Sequence, residues 1–322
     1  MSKVIGIIFS DLHINDWAKF NQNDERTKNH FKVLSIIRKA CIDNKCPAIF
    51  CGDLFHKPEN ISLHLHRLTV NKFNRLEDFS WTCIAISGNH DIASNSVIGA
   101  KPESWVSNFA LQYDFLECID YRDYQDRENK VQYIGVPYID HNLGLNDYIK
   151  SVKLENGYKH ILLLHTDYPG AKDTDGTEVG SSENLNVNLL DKFDLTLIGH
   201  IHKPQRLAKK VYMVGAPLQQ RRTDRDCDLG YWKLYEDMSM KFVSLSNKFP
   251  KFIDVDSDDK VKDDGNYYTV IASKVEIDVT KTRITKKLSK RRIVKRYLKE
   301  HGINDEAKTN CLLGIIKDSE ND

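Results

Sequence analysis

Five short apolar runs punctuate the first two hundred residues: Val4 to Phe9, Ala48 to Cys51, Thr82 to Ile86, His160 to Leu164 and Leu195 to Ile198. Continuous runs of this length read as strands buried on both faces, as in an α/β or sandwich core. Between them the apolar period lengthens. Glu25 to Asn44 carries Phe31, Leu34, Ile37 and Cys41 on one stripe and predicts an amphipathic helix. A second helix is expected to begin at Pro58-Glu59-Asn60-Ile61-Ser62 and to run to about Asp78, with Leu65, Leu68, Phe73 and Leu76 available for burial. Asp167 to Glu183 is rich in Gly, Asp, Ser and Thr, has no period and reads as a loop, with Tyr168 as a surface aromatic. Beyond His202 the pattern turns to strands at Val211 to Val214, Tyr231 to Tyr235 and Lys241 to Leu245, expected to close a second sheet. After a break near residues 246 to 250, a strand at Tyr267 to Ala272 and a helix at Thr285 to Glu300 ended by Gly302 are expected. The division predicted is a main domain over 1–247 and a smaller C-terminal part over 248–322, with no repeats and no low-complexity linker.

Each of the five early runs ends in residues that bind metals. They are followed by Asp11-Leu12-His13, Gly52-Asp53-Leu54-Phe55, Gly88-Asn89-His90-Asp91, His165 and Gly199-His200-Ile201-His202. One Asp-x-His, or one histidine after an apolar run, is more often a capped turn or a satisfied core residue. Five in succession at strand ends, where rigid scaffolds place functional loops, point instead to a site. The chemistry that asks for such a set is phosphoester hydrolysis with two divalent cations about 4 Å apart, one clamping the attacking oxygen and the other the leaving oxygen. A shared carboxylate must bridge them, and Asp53 is the natural candidate. Asp11, His13 and His202 then complete one ion, and Asn89, His165 and His200 the other. Nitrogen and oxygen donors without thiolate suit Mn²⁺, Fe²⁺ or Zn²⁺.

In this order, D-x-H, G-D, G-N-H-D, H and G-H-x-H, the segments resemble the calcineurin-like metallophosphoesterases. The resemblance implies a four-layer α/β/β/α sandwich, here with a small C-terminal α+β cap. A narrower likeness rests on Gly52-Asp53-Leu54-Phe55-His56 with Pro58, on Gly199-His200-Ile201-His202-Lys203-Pro204-Gln205, on Val214-Gly215-Ala216-Pro217-Leu218-Gln219, and on Gly230-Tyr231. These are similar to the SbcD-like nuclease subunits of bacteria and phages, and the likeness covers about residues 4 to 235. It implies a Mn²⁺-dependent exonuclease and endonuclease acting on DNA in break repair or recombination, a homodimer, and an SMC-like coiled-coil ATPase partner of the SbcC type. By the same resemblance His90 contacts the scissile phosphate and protonates the leaving oxygen, Asp91 orients the His90 ring, and His56 positions the DNA strand. Two departures are visible: Ile14-Asn15-Asp16-Trp17 follows the first motif where the family often has a glycine, and Gly215-Ala216-Pro217 stands where it has Gly-Ser-Pro. Gln219-Gln220-Arg221-Arg222 reads as a polar, basic surface stretch suited to phosphates. Within the same fold, a phosphatase or phosphodiesterase for small molecules or phosphoproteins is the alternative, because metal ligands alone do not define the substrate. A non-catalytic scaffold would be expected to have lost ligands, and all seven are present.

Composition adds bounds. The 322 residues are 40% hydrophobic and 29% charged, ordinary for a globular protein with one large domain and a small accessory part. No apolar run approaches the roughly 18 residues of a membrane-spanning helix. Seven cysteines without a C-x-x-C pair suit a reducing cytoplasm, and Cys41, Cys46, Cys51 and Cys83 are expected in the core. A formal net charge of +1 gives no overall pull toward nucleic acid, but ten Lys or Arg and no acid fall between Lys281 and Lys299. That cluster is the footprint of phosphate contacts, or else a docking helix for a partner.

Overall fold

A computed structural model describes residues 2–16, 22–57, 61–77, 80–93, 102–139, 144–180, 185–256, 260–262 and 264–271. The apolar runs become strands β1 (Val4–Phe9), β2 (Ala48–Phe50), β3 (Cys83–Ala85), β7 (Lys159–His165) and β10 (Leu195–Gly199). Along each, alternate side chains enter different cores. From β2, Ala48 and Phe50 face one cluster and Ile49 another; from β7, Ile161 and Leu163 share that second cluster while Leu162 and Leu164 enter a third. A strand with apolar side chains on both faces must be covered on both, and this accounts for the layering.

One six-stranded sheet has the order β14 (Met240–Ser244), β13 (Gly230–Tyr235), β1, β2, β3 and β4 (Leu116–Cys118). The other runs β11 (Gln205–Ala208), β12 (Val211–Met213), β10, β7, β6 (Val131–Val136) and β5 (Asp123–Asp126). In both, the strands leading into the candidate ligands pair in parallel; antiparallel strands close both edges of the second sheet and one edge of the first, whose other edge strand, β4, lies parallel to β3. The sheets meet through Ile5, Ile8, Ile49, Ile84, Ile161, Leu163, Leu195 and Leu197. Helices α1 (Glu25–Asn44), α2 (Leu63–Leu76) and α3 (Trp105–Ala110) cover the first sheet, and α4 (Leu145–Ser151) covers the second. The result is the expected α/β sandwich with two mixed sheets.

Helix α1 buries Val33, Leu34, Ile37 and Cys41 and ends at Lys45, whose left-handed backbone returns its amide to the Cys41 and Ile42 carbonyls. Helix α2 starts later than expected because Ser62 caps it, accepting from the Leu65 amide at 3.0 Å. The strands after His202 divide between the sheets: β12 extends the second, while β13 returns antiparallel to β1 in the first. The Asp167 to Glu183 stretch holds a two-stranded ribbon, β8 (Ala171–Lys172) with β9 (Glu178–Val179), and Tyr168 is buried with Ala171 and Leu185 instead of lying on the surface.

A compact unit spans Met1–Val270, and the division expected after residue 247 falls inside it. Its last pair, β15 (Phe252–Val255) and β16 (Tyr267–Val270), is tied to the body by the Phe252 amide donating to Gln219 Oε1 at 2.7 Å. The expected helix at 285–300 and the basic run at 281–299 lie outside the described residues. Among the described residues no helix is long and apolar enough to cross a membrane, and Cys41, Cys46, Cys51 and Cys83 are buried.

Candidate metal centre

Because β1, β2, β3, β7 and β10 point the same way, the loops leaving their C-terminal ends gather at one edge of the sandwich. The turns are sharp. Asp11, His13, Asp53 and His200 all have positive φ, at 50°, 48°, 64° and 103°, a region that non-glycine residues enter only where the surroundings over-determine it. Hydrogen bonds supply that constraint: the Asp11 amide donates to the Gly52 carbonyl, the His13 amide to the Asp53 carbonyl, and the His200 amide to the Asp11 carboxylate. Gly88 is required by close approach, since a Cβ there would lie 2.1 Å from Asp53 Oδ1.

Three clusters of donor atoms result among the described residues, His13 with His56 and His90, Asp11 with His13 and His202, and Asp53 with His165 and His200, the three ligand atoms of each lying within 4.8 Å of one another; the last two hold expected ligands only. Asp53 reaches both. Its Oδ2 is 3.5 Å from His13 Nε2 and 3.3 Å from His165 Nε2. Asn89 joins the second cluster, its Oδ1 lying 3.0 Å from His165 Nε2 and 3.1 Å from His200 Nδ1. The structure thus brings together all seven residues expected as ligands.

Several donors have no use for each other without a cation. His165 turns Nδ1 to the Cys51 carbonyl at 2.7 Å, so its Nε2 faces two oxygen acceptors. His202 Nε2 faces His13 Nε2 at 3.1 Å, where two lone pairs would oppose, and His13 Nδ1 is buried without a hydrogen-bond partner among the described residues. Titration follows the same logic. Burial, with Asp53 beside it, raises the Asp11 carboxyl above its ordinary range. Burial disfavours a charged His165, yet the adjacent Asp53 outweighs this and lifts it to about 9, so a proton stands where a cation would serve both groups. Burial holds His13 well below its usual value, leaving a neutral imidazole to offer a lone pair. The donor set therefore fits divalent metal ions, with nitrogen and carboxylate oxygen and no thiolate.

Outer partners orient these rings. His200 Nε2 lies 3.3 Å from Asp167 Oδ1 and His202 Nδ1 lies 3.4 Å from Asp224 Oδ2. Asp224 is buried and also accepts from the Gln220 and Arg221 amides and the Thr174 hydroxyl. Burial opposes its ionisation, but His202 and these donors hold it down at about 2. Neither carboxylate was expected from the sequence. Asp167 stands two residues after His165 in a polar stretch full of acids, and Asp224 is 22 residues from the ring it holds.

His90 and His56 border the same cavity of about 420 Å³, their rings stacked at 5.1 Å. The expectation that Asp91 orients His90 does not hold. The buried Asp91 carboxylate accepts the amides of Asp53, Leu54, Phe55 and Gly88, binding the second and third loops together. His90 Nδ1 lies instead 2.5 Å from the His56 carbonyl. Adjacent residues on a turn point in different directions, and here the aspartate points inward. The Gln219-Gln220-Arg221-Arg222 stretch is also not uniformly surface: both glutamines are buried, and Gln220 donates to the Leu12 carbonyl behind the first motif.

A model of the family described as calcineurin-like phosphoesterase matches residues 7–204, which include all seven candidate ligands. One solved structure superposes with a TM-score of 0.49 at 11% sequence identity, covering 76% of this chain and 100% of the other.

Proposed function

This chain belongs to the calcineurin-like phosphoesterase family, hydrolases of phosphate esters that use divalent metal ions, and from that premise we propose that it is a DNA nuclease of the SbcD-like branch. The observation that carries the substrate assignment is His56: an imidazole outside the two clusters made of expected ligands alone, grouped with His13 and His90 and stacked on His90 at the border of the cavity, in place to meet a strand approaching the ions. The narrower sequence likeness around Asp53, His200 and Gly215 supports the same branch. Asp11, His13, Asp53, Asn89, His165, His200 and His202 would hold two ions, with Mn²⁺ the expected species. When bound, the pair supplies Lewis acidity toward the phosphoryl oxygens and activates the attacking water.

The rest falls to the chain. The His56 carbonyl takes the Nδ1–H of His90, leaving Nε2 to carry a proton toward the departing sugar oxygen as general acid. Asp91 keeps the loops of Asp53 and His90 in register through its four amide contacts. This reading also expects a homodimer and an SMC-like coiled-coil ATPase of the SbcC type as partner, in the cytoplasm of a cell or of a phage host.

The test is cleavage of end-labelled duplex and single-stranded DNA by the purified protein with Mn²⁺, beside a small chromogenic phosphodiester and an Asp53→Ala control. Degradation of DNA that vanishes in the control is expected. Hydrolysis of only the small ester would reject the nuclease assignment for the isolated chain and favour a small-molecule phosphodiesterase. His90→Ala is expected to lose roughly 10²–10⁴-fold in turnover while still binding Mn²⁺; an active His90→Ala protein would remove the general-acid role.

A further inference from the structure

The cavity at the metal centre is walled by histidines and carboxylates, and among the described residues that line it Arg221 is the one Lys or Arg. Its guanidinium is fixed in place. Nη2 donates to Asp173 Oδ2 at 2.5 Å and Nε lies 3.4 Å from Asp224 Oδ1. The next arginines turn elsewhere, Arg222 and Arg225 both pairing with Asp254. Nη1 of Arg221 has no hydrogen-bond partner among the described residues, and 49% of the side chain is exposed.

With half of the Arg221 side chain in solvent, screening limits what these pairs contribute to stability, although Asp224 is buried. Two carboxylates on one guanidinium therefore make better sense as a brace than as a staple, holding an open donor edge in a defined position. That planar edge is what arginine presents to phosphate. The place is also informative. Asp224 stands between Arg221 and the His202 ring, so the guanidinium is set back from the point where Asp53, His13 and His165 converge.

We propose that Arg221 binds a second phosphate of the substrate, distinct from the one that is cut, and so selects a nucleotide chain over an isolated phosphate ester. The inference rests on the phosphodiesterase reading of the centre and deepens it. A single charge-assisted contact of this kind is expected to change affinity about tenfold.

The experiment uses the p-nitrophenyl ester of thymidine 5′-phosphate, with and without a 3′-phosphate, as matched substrates with Mn²⁺. The wild-type protein should favour the 3′-phosphorylated ester through KM. Arg221→Gln should erase most of that preference, about tenfold, with the change in KM and not kcat, and Arg221→Lys should keep part of it. Unfolding midpoints and Mn²⁺ binding of both variants show that the fold and centre persist. No preference in the wild-type protein would overturn the proposal. An equal loss on both esters in Arg221→Gln would also overturn it, making the residue a support for Asp224 and His202. DNA left uncut while both esters are hydrolysed would instead reject the nuclease reading and leave the Arg221 comparison readable.

Discussion

His165, His200 and His202 each commit one ring nitrogen to an outer acceptor, the Cys51 carbonyl, Asp167 and Asp224 respectively, and so present the other to the centre. Partners of this kind typically tune metal affinity or activity by 10–100-fold when removed. Asp224→Ala is accordingly expected to weaken Mn²⁺ binding by about that factor, read by titration calorimetry, with Asp224→Asn closer to wild type because the amide oxygen can still accept from Nδ1–H. Equal affinities in all three proteins would remove the orienting role. Gly88→Ala is a sharper case: its methyl would meet the Asp53 carboxylate at 2.1 Å, and loss of Mn²⁺ binding should follow while far-ultraviolet circular dichroism stays native. At this scale the ligands themselves were legible, since each follows an apolar run directly. Asp167, Asp224 and the inward turn of Asp91 were not, because a carboxylate in a polar loop carries no mark of the direction it faces.

Helix α1 does more than cover the first sheet. Arg26 and His30, one turn apart, are both buried, and both meet Gln220: Arg26 Nη2 donates to its carbonyl at 2.6 Å and His30 Nε2 lies 3.3 Å from Oε1. The Arg26 guanidinium also sits 5.7 Å from the rings of Phe252 and Tyr267. Burial first, then the Arg26 charge, lowers His30 to about 3. The unfolded chain, with an ordinary value near 6.5, takes up this proton before the folded one does. Stability present above pH 6.5 is thus lost as pH falls toward 3, at about 1.4 kcal/mol per pH unit for this one group. His30→Gln should flatten the fall in unfolding free energy between pH 6.5 and 5 by that slope; an unchanged slope would assign the acid sensitivity to other residues. Helix α1 was legible to the residue because its stripe is long and regular. Short polar strands such as β5, whose sequence is Asp-Tyr-Gln-Asp, were not, since edge pairing leaves no apolar alternation to read.

At the scale of the molecule, the two clusters made of expected ligands alone each draw on both sheets: Asp11, His13 and Asp53 come from the first, His165, His200 and His202 from the second. Ions held there would join the two sheets, and ligands that bind only the folded state stabilise it by mass action. Mn²⁺ at 100 times its dissociation constant should add about 2.7 kcal/mol to the unfolding free energy, reversed by chelator and absent in Asp53→Ala; a melting curve indifferent to Mn²⁺ would contradict this. The sandwich could be anticipated because the apolar runs require cover on both faces, whereas the return of β13 to the first sheet depends on long-range pairing that no local pattern records. His13 and His202 are 189 residues apart in the chain, and Asp53 precedes His200 by 147. During translation, therefore, neither cluster can close until residues 200–202 have left the ribosome. A growing polypeptide with the first three motifs already folded holds two of the three donors of the Asp11, His13 and His202 cluster but one of the three of the other, so neither set is complete, and no metal-dependent hydrolysis is expected, until the fifth motif emerges.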